Sequence, residues 1–188
     1  MTDSRSRAPK DLPRTVLSQG VQLPVFRLAA RYLKEYEEKI LYCTGRLSED
    51  EIWWCPGPDN PASGLNSVGN LLLHLKGNLS LWILSGVGGY RIERDRAGEF
   101  SAYRSLTRKP LEEDLSMAVR RSVEVLERLD PNALEVPLKI QGYDTDALGA
   151  TFHAVEHMSY HTGQIVLLTK QLLGARTHLE FYPQHADE

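Results

Sequence analysis

The spacing of apolar residues is the feature of this sequence that most limits how the chain can fold. Four segments place apolar side chains at alternating steps of three and four residues, as one buried face of a helix requires. They run from about Pro24 to Leu47, Ser67 to Leu84, Pro110 to Leu129 and Asp146 to Leu173. Leu134 to Ile140 alternates as a short extended segment would. We therefore predict an all-α domain of four packed helices.

Two predicted stripes identify candidate core residues. The first helix directs Phe26, Leu33 and Ile40 to one side, and Cys43 on the same stripe is expected to be a small core residue. In the last helix, the residues expected to face the core are Leu148, Phe152, Val155, Ser159, Thr162, Val166 and Leu173.

Long connections separate helices one and two and helices two and three. Each is about 20 residues long, and connections of that length often carry function. The first contains Trp53 and Trp54, which we expect either to cover the core or to anchor a partner. The second, residues 90–109, is polar and is expected to be irregular. Its Arg94 and Arg96 are candidates for binding an anionic group of a substrate.

Composition excludes several classes of partner. The 22 basic and 25 acidic residues give a formal net charge of −3, so no excess positive charge exists to neutralise phosphates, and nucleic-acid binding is not expected. No apolar run approaches the roughly 20 residues that cross a bilayer, and nothing at the N-terminus resembles a signal peptide. Two cysteines make no disulfide framework. We expect a cytoplasmic protein without membrane contact.

The 188 residues fit one domain. We expect residues 1–22 to form an N-terminal arm, residues 23–176 the helical domain, and residues 177–188 a C-terminal tail. The arm carries a basic cluster of Arg5, Arg7, Lys10 and Arg14, which we interpret as solvated rather than as a binding patch.

Three histidines on the last predicted helix are spaced to bind a metal ion. His153, His157 and His161 follow one another at four-residue intervals, and such neighbours share one helical face a single turn apart. His153 and His161 are two turns apart, about 12 Å along the axis, so one ion cannot bind both. The spacing therefore allows either His153 with His157 or His157 with His161.

His74 is the candidate third ligand, because it lies in the middle of a different predicted helix. Asn70 and Asn78 precede and follow it by one turn, in a segment otherwise rich in leucine. Polar residues in such a place need partners, and the two amides are candidates to orient a ligating imidazole. The alternative is that His74 is a core histidine without a metal.

The stretch from His153 to His157 also matches the H-x-x-E-H signature of a class of zinc proteases. Such an enzyme needs a remote acidic ligand and a substantial cleft, for which a short helical bundle offers no obvious room. A five-residue match is also frequent by chance, so we discount it.

Two histidine-containing segments resemble a known superfamily. The spacing of His153, His157, Tyr160, His161 and the run Gly163-Gln164-Ile165 resembles the last-helix motif of the DinB/YfiT-like metal-binding proteins. The segment 72–79 around His74 resembles their second-helix motif, and residues 94–100 resemble one branch that is classed as a domain of unknown function. The resemblance covers roughly residues 25–175.

The resemblance implies a fold, a site and a class of chemistry. It implies an antiparallel four-helix bundle that is frequently dimeric, and a metal triad of His74, His157 and His161. The implied cofactor is one divalent ion, zinc or nickel above all. Members of the superfamily include thiol-dependent S-transferases and a mycothiol-dependent isomerase, so a small-molecule substrate and a low-molecular-weight thiol are the expected partners, along with a second copy of the chain.

Three neutral histidines leave at least one coordination position open, which is typical of a catalytic rather than a structural metal site. We therefore expect a divalent-metal-dependent transferase or hydrolase. Tyr160, Glu156 and Arg96 are the candidates for catalytic groups, although Glu156 is expected to point away from the ion because adjacent helical residues diverge by about 100°. The alternatives are a bundle that the metal only stabilises and a dimeric interaction or ligand-binding protein.

Overall fold

A computed structural model describes residues 23–56, 65–176 and 178–181. Over these residues the chain is mostly helical, with five α-helices and a small two-stranded sheet. The helices are α1 (Pro24–Thr44), α2 (Val68–Leu79), α3 (Arg96–Ser101), α4 (Arg108–Arg128) and α5 (Ala147–Leu173), and the strands are β1 (Leu138–Ile140) and β2 (Tyr143–Thr145). The predicted arm, with its basic cluster, lies outside the described residues.

Local sequence explains where the helices that carry the histidines begin. The hydroxyl of Ser67 accepts the Asn70 backbone N–H, and the Asn70 side chain in turn accepts the Ser67 backbone N–H, so α2 begins with a reciprocal cap. The Asp146 carboxylate accepts the Gly149 N–H at the start of α5.

Two helix bounds differ from those predicted. Helix α4 begins two residues before the predicted Pro110, and α1 ends at Thr44 rather than Leu47.

The helical backbone continues beyond the end of α2 at Leu79 as a wider π-helical segment, Ser80–Val87. The Gly88 N–H donates to the Ile83 carbonyl five residues earlier at 2.8 Å, as the wider turn requires. A Cβ on Gly86 would collide with the side chain of Ile140, so this glycine allows β1 to pack closely on the segment.

The core lies between the long helices. Helix α1 packs against α4 and α5, and α2 packs against the same two helices. Large side chains that are almost completely buried between them include Phe26, Leu33, Ile40, Leu72, Leu75, Leu79, Leu115, Leu126, Met158 and Ile165. Cys43 is fully buried, as its place on the α1 stripe predicts.

The fold is mostly helical, as predicted, but a hairpin before α5 adds a small sheet, and only the last three residues of the predicted extended segment Leu134–Ile140 form a strand. A single turn of 3₁₀-helix covers Pro131–Ala133, and the extended backbone begins only at Leu138. Strand β1 pairs antiparallel with β2, with Leu138 opposite Thr145. The connecting residues Gln141 and Gly142 have φ values of 53° and 86°, which the tight turn requires.

The predicted core face of α5 is correct for Thr162 and Leu173, which are buried, and wrong for Leu148, Phe152 and Ser159. Leu148 is 37% exposed and Phe152 is 73% exposed, and Ser159 is also exposed. The face that packs inward carries Ala150, Thr151, Ala154, Met158, Thr162 and Ile165. The hydroxyls of Thr151 and Thr162 each donate to the carbonyl four residues earlier, at 2.7 Å. Their hydrogen bonds are therefore made within α5, and burial in the core needs no partner from another helix.

Part of the segment predicted to be a C-terminal tail packs on the domain. Leu179 is buried, and the ring of Phe181 lies 5.4 Å from that of Tyr42 in an edge-to-face contact. None of the helices in the described ranges is both long and apolar enough to cross a membrane.

Candidate metal centre

Helices α2 and α5 bring His74, His157 and His161 together. One ring nitrogen from each lies within 4.8 Å of the other two, and the Nε2 atoms of His74 and His157 are 2.8 Å apart. Tetrahedral zinc coordination, with metal–nitrogen bonds of about 2.0–2.1 Å, separates its ligands by about 3.3 Å. The three nitrogens are therefore close enough to become ligands of one ion after rotation of the side chains.

The Nδ1 atom of His74 is held by a carboxylate from α3. Glu99 Oε2 lies 3.1 Å from this nitrogen, and both side chains are more than 90% buried. Because an ionised carboxylate can only accept, Nδ1 of His74 carries the proton and Nε2 is left with its lone pair facing His157. A carboxylate behind a ligating histidine is the usual way in which proteins fix the tautomer and orientation of such a ligand.

Arg94 holds Glu99 in place through two hydrogen bonds. Its Nε donates to Oε1 at 2.6 Å and its terminal nitrogen donates to Oε2 at 2.8 Å, a bidentate arrangement. Sequence reasoning offered Arg94 as a group for an anionic substrate, but the structure places it against a buried protein carboxylate. The ion pair offsets the charge that Glu99 would otherwise bury alone.

Gly77 makes room for this ion pair on the surface of α2. A Cβ at this position would overlap Glu99 Oε1 and lie 2.8 Å from Arg94 Nε. Because Gly77 has no side chain, the Glu99 carboxylate can lie against the surface of α2 and reach His74 on the same helix.

The Nδ1 atom of His161 is fixed from its own helix. Gln164 Oε1 lies 2.6 Å from it, one turn further along α5. The amide oxygen accepts the Nδ1 proton, so Nε2 of this ring is also left to act as a ligand.

Burial disfavours the charged forms of His157 and His161. It lowers the pKa of His157 to about 3, with further lowering from His161 and His74, and it also lowers the pKa of His161 against the opposing hydrogen bond from Gln164. Burial would raise the pKa of Glu99, but the hydrogen bonds from Arg94 and His74 outweigh it and the pKa is lowered. At neutral pH His157 and His161 are thus neutral and Glu99 is ionised, the protonation states that metal binding needs.

Helix α3 is fastened to α2 beside His74. The amide of Asn70 donates to the carbonyls of Glu99 at 3.0 Å and Ala102 at 2.8 Å, and the Phe100 ring lies 4.8 Å from the His74 ring. The predicted irregular loop 90–109 therefore contains a short helix that supports the site. The role that the sequence suggested for the flanking asparagines, orienting His74, is performed by Glu99.

His153 lies outside the three-histidine group. Its Nε2 is 3.3 Å from Nδ2 of Asn78, and its ring packs 3.9 Å from the Trp82 ring. Of the two registers that the helical spacing allowed, the structure therefore assembles the one that contains His157 and His161.

The predicted catalytic candidates lie around the rim or further away. Tyr160 is 59% exposed with its ring 5.0 Å from that of His161, and Glu156 is exposed on α5. The guanidinium of Arg96 lies 5.1 Å from the centre of the Phe100 ring.

The two tryptophans of the first connection differ in exposure. Trp53 is buried and its indole N–H donates to the Leu106 carbonyl, whereas Trp54 is 38% exposed.

Sequence reasoning missed the supporting roles of Glu99 and Gln164. The spacing of His161 and Gln164, three residues apart on one helix, is a signal that could have identified the second. No comparable local signal joins His74 to Glu99, because the two residues lie on different helices.

Comparison with known proteins supports this architecture. A family model described as a protein of unknown function, DUF1572, matches residues 23–179. The solved structure of a conserved protein from Enterococcus faecalis has a TM-score of 0.65 at 14% identity and covers 81% of this chain and 99% of its own. That of a DinB-like protein from Bacillus cereus ATCC 10987 has a TM-score of 0.59 at 19% identity and covers 78% of this chain and 90% of its own.

No curated protein matches the chain at a significant level. Similarity to the two solved structures, at these identities, shows a shared fold. The resemblance drawn from the histidine motifs is confirmed at the level of the family: the chain belongs to the DUF1572 family of proteins of unknown function, and it shares its fold with a solved DinB-like protein.

Proposed function

We propose that this protein is a divalent-metal-dependent transferase or hydrolase that acts on a small molecule, with a low-molecular-weight thiol as candidate co-substrate. The observation that carries the proposal is the convergence of three imidazoles, from His74, His157 and His161, on one point. Two of them have Nδ1 held by a protein acceptor, which directs Nε2 to that point. Zinc and nickel are the ions that we propose, since both accept imidazole ligands.

Three histidine ligands leave at least one coordination position for a substrate or a solvent molecule. A divalent ion in this site would supply Lewis acidity and lower the pKa of a bound water or thiol. Around it, Glu99 and Gln164 keep the ligand protons on Nδ1, and Tyr160 is the exposed hydroxyl next to His161 that we propose as a donor to the substrate. Glu156 and Arg96 are secondary candidates.

We infer that α1, α2, α4 and α5 form an antiparallel four-helix bundle. The pairwise packing of α1 and α2 against both α4 and α5 supports this arrangement. A site built between the helices of a bundle is held by a rigid frame, which favours fixed ligand geometry.

Metal analysis tests the site itself. Protein purified without a nickel column should contain about one equivalent of a divalent metal, and His157→Ala should lose it, because two remaining ligands bind weakly. His153→Ala is the matched control on the same helix and should retain the metal. Equal metal content in the wild type and His157→Ala would contradict the proposed ligands.

The open position separates an enzyme from a bundle that the metal only stabilises. In cobalt-substituted protein, adding the thiol 2-mercaptoethanol should produce a thiolate-to-cobalt charge-transfer band if a coordination position is free. An unchanged spectrum, together with stoichiometric cobalt, would favour the non-catalytic alternative.

We also propose that the protein forms a homodimer through one face of α5. Leu148, Phe152 and Ser159 are exposed on it, and a Cβ on Gly163 in the same row would meet nothing within 4 Å. This row also contains the half-buried Val155 and Val166, and the exposed Glu156, one turn after Phe152, lies at its edge. An exposed apolar helix face of this kind typically marks an interaction site.

A further inference from the structure

A pocket of about 710 Å³ shares Phe100 with the surroundings of the candidate metal centre. Its lining contains four aromatic side chains from two parts of the chain. Trp53 and Trp54 come from the connection after α1, and Phe100 and Tyr103 come from α3 and the residues that follow it. Trp54 and Tyr103 are 38% and 66% exposed, so their rings are accessible to a ligand.

Several of the polar and charged side chains that line this pocket have protein partners. Arg104 pairs with Asp50 at 3.0 Å, and Glu51 pairs with Arg176 at 2.7 Å. The indole N–H of Trp53 and the amide of Asn70 donate to backbone carbonyls. The rings of Trp54 and Tyr103 add exposed aromatic surface beside these paired groups, and this surface favours a flat, largely apolar group as ligand.

We propose that this pocket binds a planar, predominantly apolar small molecule or the planar part of a larger one. Offset stacking on Trp54 and Tyr103 and contact with Phe100 provide the recognition. The pocket lies outside the three-histidine group, so it is a second binding element beside the metal centre.

Occupancy of the pocket is coupled to metal binding through α3. Glu99 contacts Nδ1 of His74, and Phe100, the next residue, contacts its ring and lines the pocket. Asn70 lines the pocket too and fastens the end of α3 to α2. A ligand that packs on Phe100 and Tyr103 holds α3 against His74, so it strengthens metal binding, and by linkage the metal strengthens ligand binding by the same factor.

The fluorescent probe N-phenyl-1-naphthylamine, an uncharged aromatic compound, tests the pocket. Titration of the wild type should give saturable binding of one probe per chain. The dissociation constant should rise about fivefold or more in Trp54→Ala and Tyr103→Ala, which remove stacking surface. Tyr143→Ala is the matched control, because Tyr143 is also 66% exposed but is not part of the pocket lining. Equal affinity in all four proteins, or no saturable binding, would overturn the pocket assignment.

The coupling is tested with zinc-loaded and EDTA-treated wild type. Zinc should lower the dissociation constant of the probe about fivefold or more, within the usual range of coupling between sites. Identical constants would overturn the coupling. This part rests on the proposed metal site, whereas the pocket does not. His157→Ala should bind the probe with the metal-free affinity, so a failure of the metal site and a failure of the pocket give different results.

Discussion

The hydrogen bonds at the ring nitrogens that point away from the metal position decide which nitrogen His74 and His161 offer to a metal ion. His74 can offer Nε2 because Glu99 accepts at Nδ1, and Glu99 stays ionised because Arg94 binds both of its oxygens. The chain Arg94–Glu99–His74 is almost completely buried, so removing one member leaves another without compensation. The free energy of metal binding should therefore depend on residues that never touch the metal.

Glu99→Gln tests this dependence with little change in shape. We expect the dissociation constant for zinc to rise about 10- to 100-fold, as is usual when the acceptor behind a ligating histidine is altered. Competition with a chelating indicator gives the constant. The control is Glu156→Gln, which removes an exposed carboxylate adjacent in sequence to His157 and should change the constant less than about threefold. Equal losses in the two variants would mean that net charge, not the contact to His74, is responsible.

The stability of the metal-free protein should depend on pH through His157. Its pKa falls from 6.5 to about 3 on folding, chiefly because it is buried. Between these values the unfolded chain binds more protons than the folded chain, so the free energy of unfolding should decrease as the pH falls from about 6.5 towards 3. Thermal unfolding of EDTA-treated protein at about pH 7 and about pH 5 measures this.

The matched variant for the pH experiment is His157→Gln, which removes the titrating ring. It should lose less stability than the wild type between the two pH values, because the ring that binds a proton only on unfolding is gone. Some loss should remain, because His153 and His161 also have lowered pKa values. An equal pH dependence in the two proteins would show that His157 does not contribute.

At the scale of elements, α3 is a six-residue helix that cannot be stable by itself. Its stability comes from contacts with α2: the hydrogen bonds of Asn70 to its last carbonyls, the ion pair over Gly77 and the packing of Phe100 on His74. A polar sequence with few apolar residues gave no periodic signal for such a helix. Its formation depends on the surface that α2 presents to it.

Gly77→Ala should disturb this contact between elements. The added methyl group occupies the position of the Glu99 carboxylate, so Glu99 must leave His74, and we expect zinc affinity to fall by about tenfold or more. Gly163→Ala is the control within a helix, because its methyl group would meet nothing within 4 Å, and zinc affinity should be unchanged. Isothermal titration calorimetry measures both, and unchanged affinity in Gly77→Ala would contradict the packing described for Glu99.

At the scale of the whole molecule, α5 has two faces that could each be buried. One packs on α1 and α2 with small side chains and threonines, and the other exposes Leu148 and Phe152. The periodicity of the sequence identified an apolar stripe, but its residues Leu148 and Phe152 lie on the outside of the described structure. We interpret the stripe as the surface that a second copy covers, which reconciles the pattern with its position.

Phe152→Asp should weaken the proposed dimer. A charge placed at Phe152 would be buried against its own symmetry mate, and we expect the dimer dissociation constant to rise about tenfold or more. Analytical ultracentrifugation over a range of concentrations measures it. Met117→Asp is the control, because Met117 is 48% exposed on α4 rather than α5. A wild type that is monomeric at all concentrations would contradict the proposal.

Sequence alone determined the elements that depend on local repetition. Amphipathic periodicity located the four long helices, and most of their predicted ends lie within a few residues of the observed ends. The four-residue histidine spacing limited the possible metal sites to two registers around His157. These signals are readable because each arises within a single helix, where the geometry of 3.6 residues per turn fixes which side chains are neighbours. The choice of His161 came from the resemblance of its motif.

Tertiary structure decided the contacts between residues that are remote along the chain. Glu99 reaches His74 across 25 positions and His157 meets His74 across 83, and no local period connects such pairs. The inward face of α5 was also decided by packing, because small residues that pack closely carry a weaker hydropathy signal than Leu148 and Phe152 on the opposite side. Helical geometry fixes neighbours along one element, whereas the partners of an element depend on which surfaces fit together.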